Sequence, residues 1–289
     1  MKMGMIFRSG FLLILLTSLL HSQVYIFDHE FGQFSSASAI GVSNSSDLYV
    51  ADKETNEIYK FDMNGRLNKT SGGYGWEEGL FDNPVSIFAT PIYVLVTDYN
   101  NHRIEIFDRD LNYISQINGR SDRNSSGKIS FGYPAGCVSS SLGDIFILDR
   151  ENKQVLKINA SGNLQSQFGN YQSGKYELAA PEGIGISPDN RIVVLDSSAL
   201  KIFDQYGNGI AKITPGFPVK RINITNDKMV LVSGKKLYIH DFRGMDEGIK
   251  ELQIMGYDID GEITEGLVYK GDLYLLTAHQ VLVYKKKEG

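Results

Sequence analysis

Cysteine is all but missing from these 289 residues. Cys137 stands alone, so no internal disulfide can form and a disulfide-stapled scaffold is excluded. Proline is scarce at seven residues, which rules out a collagenous or proline-rich chain. The net charge is −5, and a dedicated polyanion binder would be basic. Motifs that carry chemistry are missing as well. There is no CxxC pair, no phosphate-binding loop and no G-x-S-x-G nucleophile turn, and the five histidines show neither HxH nor HExxH spacing. Helix-length amphipathic windows are few. What is abundant is thirty glycines, sixteen tyrosines and fifteen phenylalanines, with 42% hydrophobic against 22% charged residues. That balance supports a folded core built from strands and tight turns, an all-β chain. Cys137 sits in the run Tyr133-Pro-Ala-Gly-Cys-Val138 and reads as a small buried hydrophobe rather than a reactive thiol.

Residues 1–22 read as a secretory signal peptide: Lys2 and Arg8, then the apolar run Phe11 to Leu20, then the more polar His21 and Ser22. The run of ten is half of the about twenty residues that span a membrane. Leu20 and Ser22 make a poor small-x-small cleavage site, so an uncleaved N-terminal anchor is the alternative. The expected location is therefore secreted or extracytoplasmic, or membrane-anchored through this segment. Without Lys2 and Arg8 the rest carries 27 basic against 34 acidic residues, a net charge of −7.

Residues 23–289 repeat one phrase, an aliphatic strand ending in a small polar residue, a polar turn, and a second strand. The phrase ends at Asp52, Asp98, Asp149 and Asp196, and more weakly at Ser233 and Thr277. These anchors lie 46, 51, 47, 37 and 44 residues apart. Partner strands end at Phe61, Phe107, Ile158, Phe203, His240 and Tyr284, nine residues past the first three anchors and seven past the last three. A third strand precedes each anchor by 12 to 14 residues, at Ser38, Val85, Ala135, Glu182, Val219 and Glu265. A fourth, more polar strand follows each hairpin. Four short strands at this period predict a six-bladed β-propeller of four-stranded antiparallel blades. Val24 to Phe31 has no hairpin of its own, and the last repeat is one strand short. The N-terminal strand is expected to join the last blade and close the ring. Lys285, Lys286 and Lys287 then read as an edge-solubilising tail.

The second repeat, Tyr99-Asn-Asn-His-Arg-Ile-Glu-Ile-Phe107 after Val96-Thr-Asp98, resembles the repeat of the NHL family, with Asn101, His102 and Arg103 in its N-H-R stretch. The connection Gly72 to Pro84 is similar to the glycine-rich link into the next NHL blade. Lys53-Glu-Thr-Asn-Glu-Ile58 and Arg150-Glu-Asn-Lys-Gln-Val155 keep the asparagine and little else. The last two repeats lack the aspartate and fit a generic TolB-like propeller equally well. The resemblance implies a non-enzymatic binding scaffold that takes a protein, peptide or glycan on a propeller face, as a monomer. Some cytoplasmic NHL propellers bind RNA through a basic face, which the charge of −7 opposes here.

Asp52, Asp98, Asp149 and Asp196 each close a strand and open a polar turn, where an aspartate accepts backbone N–H bonds, so their role reads as structural. His102, a single copy beside Arg103, reads the same way. Five Asn-x-Ser/Thr sequons stand at Asn44, Asn68, Asn124, Asn159 and Asn223. Tyr74 and Trp76, beside Glu77 and Glu78 in a glycine setting, have the composition of a partner anchor. The basic loop Gly119 to Lys128 reads as a surface excursion. Glu182 and Glu265 fall at the expected channel mouth. Six-bladed lactonases are similar in using a rim glutamate as a metal ligand, so the pair is a candidate site for Ca²⁺ or another divalent cation. A metal-dependent hydrolase or lyase at that mouth is the competing function.

Overall fold

The aliphatic runs before each anchor become strands covered on both faces. Ile145–Asp149 and Ile192–Asp196 are buried at every position, which is why neither shows the alternation of a half-exposed strand. Outer strands such as Leu164–Phe168 do alternate, and they carry the polar residues. The computed structural model describes residues 23–120, 129–243 and 248–287. The proposed signal segment and most of the loop Gly119 to Lys128, including Asn124, lie outside them.

Strand β1 is Val24–Phe31. Four separate four-stranded antiparallel sheets follow in chain order. The first holds β2 (Ala37–Val42), β3 (Asp47–Asp52), β4 (Glu57–Asp62) and β5 (Leu67–Gly72). The second holds β6 (Pro84–Ala89), β7 (Tyr93–Asp98), β8 (Arg103–Asp108) and β9 (Tyr113–Asn118). The third holds β10 (Pro134–Ser139), β11 (Ile145–Asp149), β12 (Gln154–Ile158) and β13 (Leu164–Phe168). The fourth, after a short 3₁₀ turn at Tyr171–Tyr176, holds β14 (Pro181–Ile186), β15 (Ile192–Asp196), β16 (Ala199–Phe203) and β17 (Gly209–Ile213). The rest is one eight-stranded sheet. It contains β18 (Arg221–Thr225), β19 (Lys228–Ser233), β20 (Lys236–Asp241), β21 (Lys250–Met255), β22 (Glu265–Tyr269), β23 (Asp272–Leu276) and β24 (Val281–Lys286), with β1 between β21 and β24. The architecture is an all-β propeller of four-stranded antiparallel blades. β1 runs antiparallel to β24, and also parallel to β21 through Val24, Tyr25 and Ile26, a pairing the repeat pattern did not foretell.

The first strands of successive sheets pack side by side, from β2 through β6, β10, β14 and β18 to β22, and β22 lies in turn against β2. One apolar cluster joins the two ends of the chain, with Ile40, Leu48 and Phe61 against Leu267, Leu276 and Val281. Burying such side chains contributes about 1.5–3 kcal/mol each. Among the described residues no helix is long and apolar enough to cross a membrane.

Tight turns between third and fourth strands share one device in the first four sheets. Asp62, Asp108, Asn159 and Asp204 each accept backbone N–H bonds from the residues two and four further on. The third residue past each is left-handed: Gly65, Gly162 and Gly207, but Leu111 in the second sheet, at φ 55°. Leucine there bears a cost of about 1–2 kcal/mol. Its buried side chain offsets that in the cluster with Phe81, Phe107 and Tyr49.

Candidate functional site

Each anchor aspartate is buried and reaches backward as well as forward. Asp52 accepts from Ser35 and Ser36 N–H, in the strand-to-strand connection, and from Glu54 and Thr55 N–H, in its own turn. Asp149 does the same with Gly132 and Asn152, while Asp196 takes Ala179 and Ala180. Asp98 accepts from Asp82 N–H at 2.9 Å. A local turn cap was legible; the tie to a connection 16 or 17 residues upstream was not.

The second sheet carries the fullest version. Asn101 donates to Asp98 Oδ2 and to the Gly75 carbonyl, both at 2.8 Å. Arg103 is 4% exposed, with Nε on Asp98 Oδ2 at 2.9 Å and a terminal nitrogen 2.9 Å from Glu105 Oε1. Its terminal nitrogens also donate to the carbonyls of Trp76, Glu77 and Leu80 and to Gln116 Oε1. One guanidinium thus grips a whole loop by its backbone, a planar fork of five donors for which lysine has no equivalent. Glu105 is fully buried, and desolvation pushes its carboxyl up to about 7 against the opposing pull of Arg103. It also accepts from Gly79 N–H. Desolvation raises the Asp98 carboxyl too, despite Asn101 and Arg103. His102 accepts from Tyr133 N–H at 2.8 Å through Nδ1, and burial lowers its basicity.

Held this way, the loop projects Tyr74 and Trp76 at 72% and 75% exposure. Glu77 and Glu78 beside them are exposed. An aromatic pair on a pinned loop loses little conformational entropy on binding.

The carboxylates expected at one channel rim line one cavity but differ in strand register. Glu182 is exposed, at the bulge where β14 slips against β15 between Pro181 and Gly183. Equivalent bulges fall at Ser38, Val85 and Ala135. Neither β18 nor β22 has one, so Glu265 opposes Leu276 as Gly183 opposes Leu195. The rim alignment is therefore corrected: Glu265 belongs with Gly183, not Glu182, and Val219 lies outside the strand. Glu265 turns inward instead. Its Oε2 accepts from Ile40 N–H at 2.8 Å and its Oε1 from Asn223 Nδ2 at 3.1 Å. Asn223 also donates to the Ile40 carbonyl, so this sequon asparagine is engaged between β18 and β2. Burial pushes the Glu265 carboxyl up to about 7, against these hydrogen bonds. Both glutamates still line one cavity of about 200 Å³, with Ser38, Tyr99, Arg150 and Arg221. Among the described residues no three His, Cys, Asp or Glu side chains converge as a metal site.

Sequence reasoning missed a larger space at the opposite end, a cavity of about 560 Å³. The turns between first and second strands surround it. Cys137 is buried in its wall, its thiol pushed up to about 12 by desolvation.

No family model matches the chain. The protein brain tumor of Drosophila melanogaster, an NHL-repeat protein, is 30% identical over 145 residues, 49% of this chain but only 13% of its own length. A streptogramin B lyase structure superposes with a TM-score of 0.60 at 14% identity, over 90% of this chain and 97% of that one. A gluconolactonase from Xanthomonas campestris gives 0.65 at 12% identity, over 89% and 88%. These structures share the propeller fold. The sequence relative supports the likeness to NHL-repeat propellers.

Proposed function

We propose that this NHL-like propeller is an exported, non-enzymatic scaffold that binds a partner protein or peptide on the face bearing Tyr74 and Trp76. Six blades, closed by β1 as the outer strand of the last, form its frame. The carrying observation is the pinned loop: two aromatic side chains about three-quarters exposed on a backbone held by a buried arginine. Exposed tryptophan and tyrosine are the side chains most often responsible for binding energy. Glu77 and Glu78 favour a partner segment with basic residues, by complementarity that speeds encounter. Trp76 is the sole tryptophan, so its emission reports this loop alone. Capture from the extracytoplasmic fraction on immobilised protein is expected to retain a partner that shifts Trp76 emission to the blue. The Tyr74→Ala/Trp76→Ala protein is expected to lose that partner. Equal capture by the double variant sinks the reading.

A second reading is a metal-dependent hydrolase or lyase, favoured by Glu182 and Glu265 lining the same cavity. Its test is the divalent metal content of purified protein with and without Glu182→Ala. Equal content in both removes it.

A further inference from the structure

The cavity of about 560 Å³ lies at the end of the propeller away from Tyr74 and Trp76, and falls within the range of ligand pockets. Its walls are the first strands of five sheets, and its mouth is formed by their turns to the second strands. The turn residues Pro91, Ile92 and Pro188 are exposed there, Ile92 at 73%. The walls carry aliphatic side chains such as Ile184, Ile222 and Ile224 among hydroxyls and amides. Much of that polar surface is already paired: Tyr93 with Ser139, Asn190 with Ser141, and Thr225 with Asn223.

One feature of the lining decides the ligand chemistry. Among the described residues no lysine, arginine, histidine or aspartate lines this cavity, and Glu265 is its one acidic residue. Each Glu265 oxygen accepts a single hydrogen bond among the described residues, so each keeps acceptor capacity. The cation that acts on it is Arg221, which lines the smaller cavity and not this one. Ile40, which holds the carboxylate, is three residues from the turn at Ser43, so the acid sits on the order of 10 Å below the mouth. An anion would meet the acid without a compensating charge. An ammonium group would supply the charge that the half-buried carboxylate lacks on this side.

We propose that this cavity is a binding site for a small primary amine with an apolar body, its ammonium on Glu265 and its apolar part against the isoleucine walls. The site is independent of the partner-binding face, and neither proposal rests on the other.

Calorimetric titration with 2-phenylethylammonium, 2-phenylethanol and phenylacetate tests it. The amine is expected to bind one to one, the alcohol at least tenfold more weakly, and the anion not at all. Glu265→Gln is expected to reduce amine affinity at least tenfold. Because Glu265 also ties Ile40 to Asn223, that variant can fail to fold. Ser86→Phe then decides, since it plugs the cavity from β6 without touching those bonds. It is expected to fold and to abolish binding. Equal affinity for amine and alcohol, no binding of the amine, or undiminished binding to Ser86→Phe overturns the proposal.

Discussion

The four separate sheets and the eight-stranded sheet solve the same problem by different means. Each separate sheet has a buried anchor aspartate that fastens the incoming connection, and a bulge where its first strand begins. The eight-stranded sheet has Ser233 and Thr277 at those anchors, no bulge in β18 or β22, and β1 paired along both edges. Where side-chain-to-backbone bonds fix one blade to the next, strands can remain separate. Where those bonds are missing, continuous strand pairing does the fixing. A buried polar tie is costly to break because it strands a desolvated group, whereas a paired strand spreads its contribution over many bonds.

The sharpest test of that contrast compares anchors. Asp98→Ala leaves Arg103 buried with half its charge partners and Asp82 N–H without an acceptor. Removing one member of a buried pair costs about 3–5 kcal/mol. Thr277→Ala removes a neutral hydroxyl that accepts from His279 and Gln280 N–H and donates to the Gln280 carbonyl, a loss of about 1 kcal/mol. Urea denaturation of both variants measures the gap. Losses of the same size would mean that the anchors are equivalent and that the aspartates are not what joins the separate sheets.

The second test turns to the seam. Tyr25 of β1 is 1% exposed, packed in the cluster with Leu252, Leu273 and Tyr284. Tyr25→Ala is expected to cost about 3–4 kcal/mol, as large aromatic truncations do. Ile210, on the outer strand of the fourth sheet, is 47% exposed, and its alanine variant is expected to fall within about 0.5 kcal/mol of native. Midpoints in urea check both. A mild effect at Tyr25 would show that the seam can open while the remaining sheets hold.

Much of this contrast is written in the residues. Repeat spacing, hairpins and anchor aspartates announce themselves through local chemistry, because an aspartate after an aliphatic run has few roles other than capping. Register does not announce itself. A bulge inserts one residue into a strand without changing its composition, so Glu182 and Glu265 look equivalent in sequence while one is exposed and the other turns into the ring. Trp76 stood out by its type, yet its pinning depends on Arg103, 27 residues away, whose charge gives no hint of burial. The larger cavity had no sequence signal at all. Its lining comes from first strands and five turns of ordinary composition, and only the side-by-side packing of those strands brings them together.

A further expected effect concerns pH, and it reads the two regions through one acid each. Glu105 in the second sheet and Glu265 in the eight-stranded sheet are both held up to about 7 from an ordinary value of 4.5. A carboxyl whose native value is raised binds its proton more tightly when folded. Its contribution to stability is full below about 4.5 and fades as pH rises through 7. For Glu105, faced by Arg103, Asp98 and Glu78, this loss is on the order of 1–3 kcal/mol between pH 4.5 and 7. Glu105→Gln is expected to flatten that part of the profile, since an amide does not titrate. Glu265→Gln should flatten it independently, because the two acids lie in different sheets. Urea midpoints at pH 5 and pH 7 for the native protein and both variants give the slopes. An unchanged slope in Glu105→Gln would mean that Arg103 keeps the acid ionised throughout. The second sheet would then be held by a full ion triad, and its anchor would differ from the seam in charge as well as in geometry.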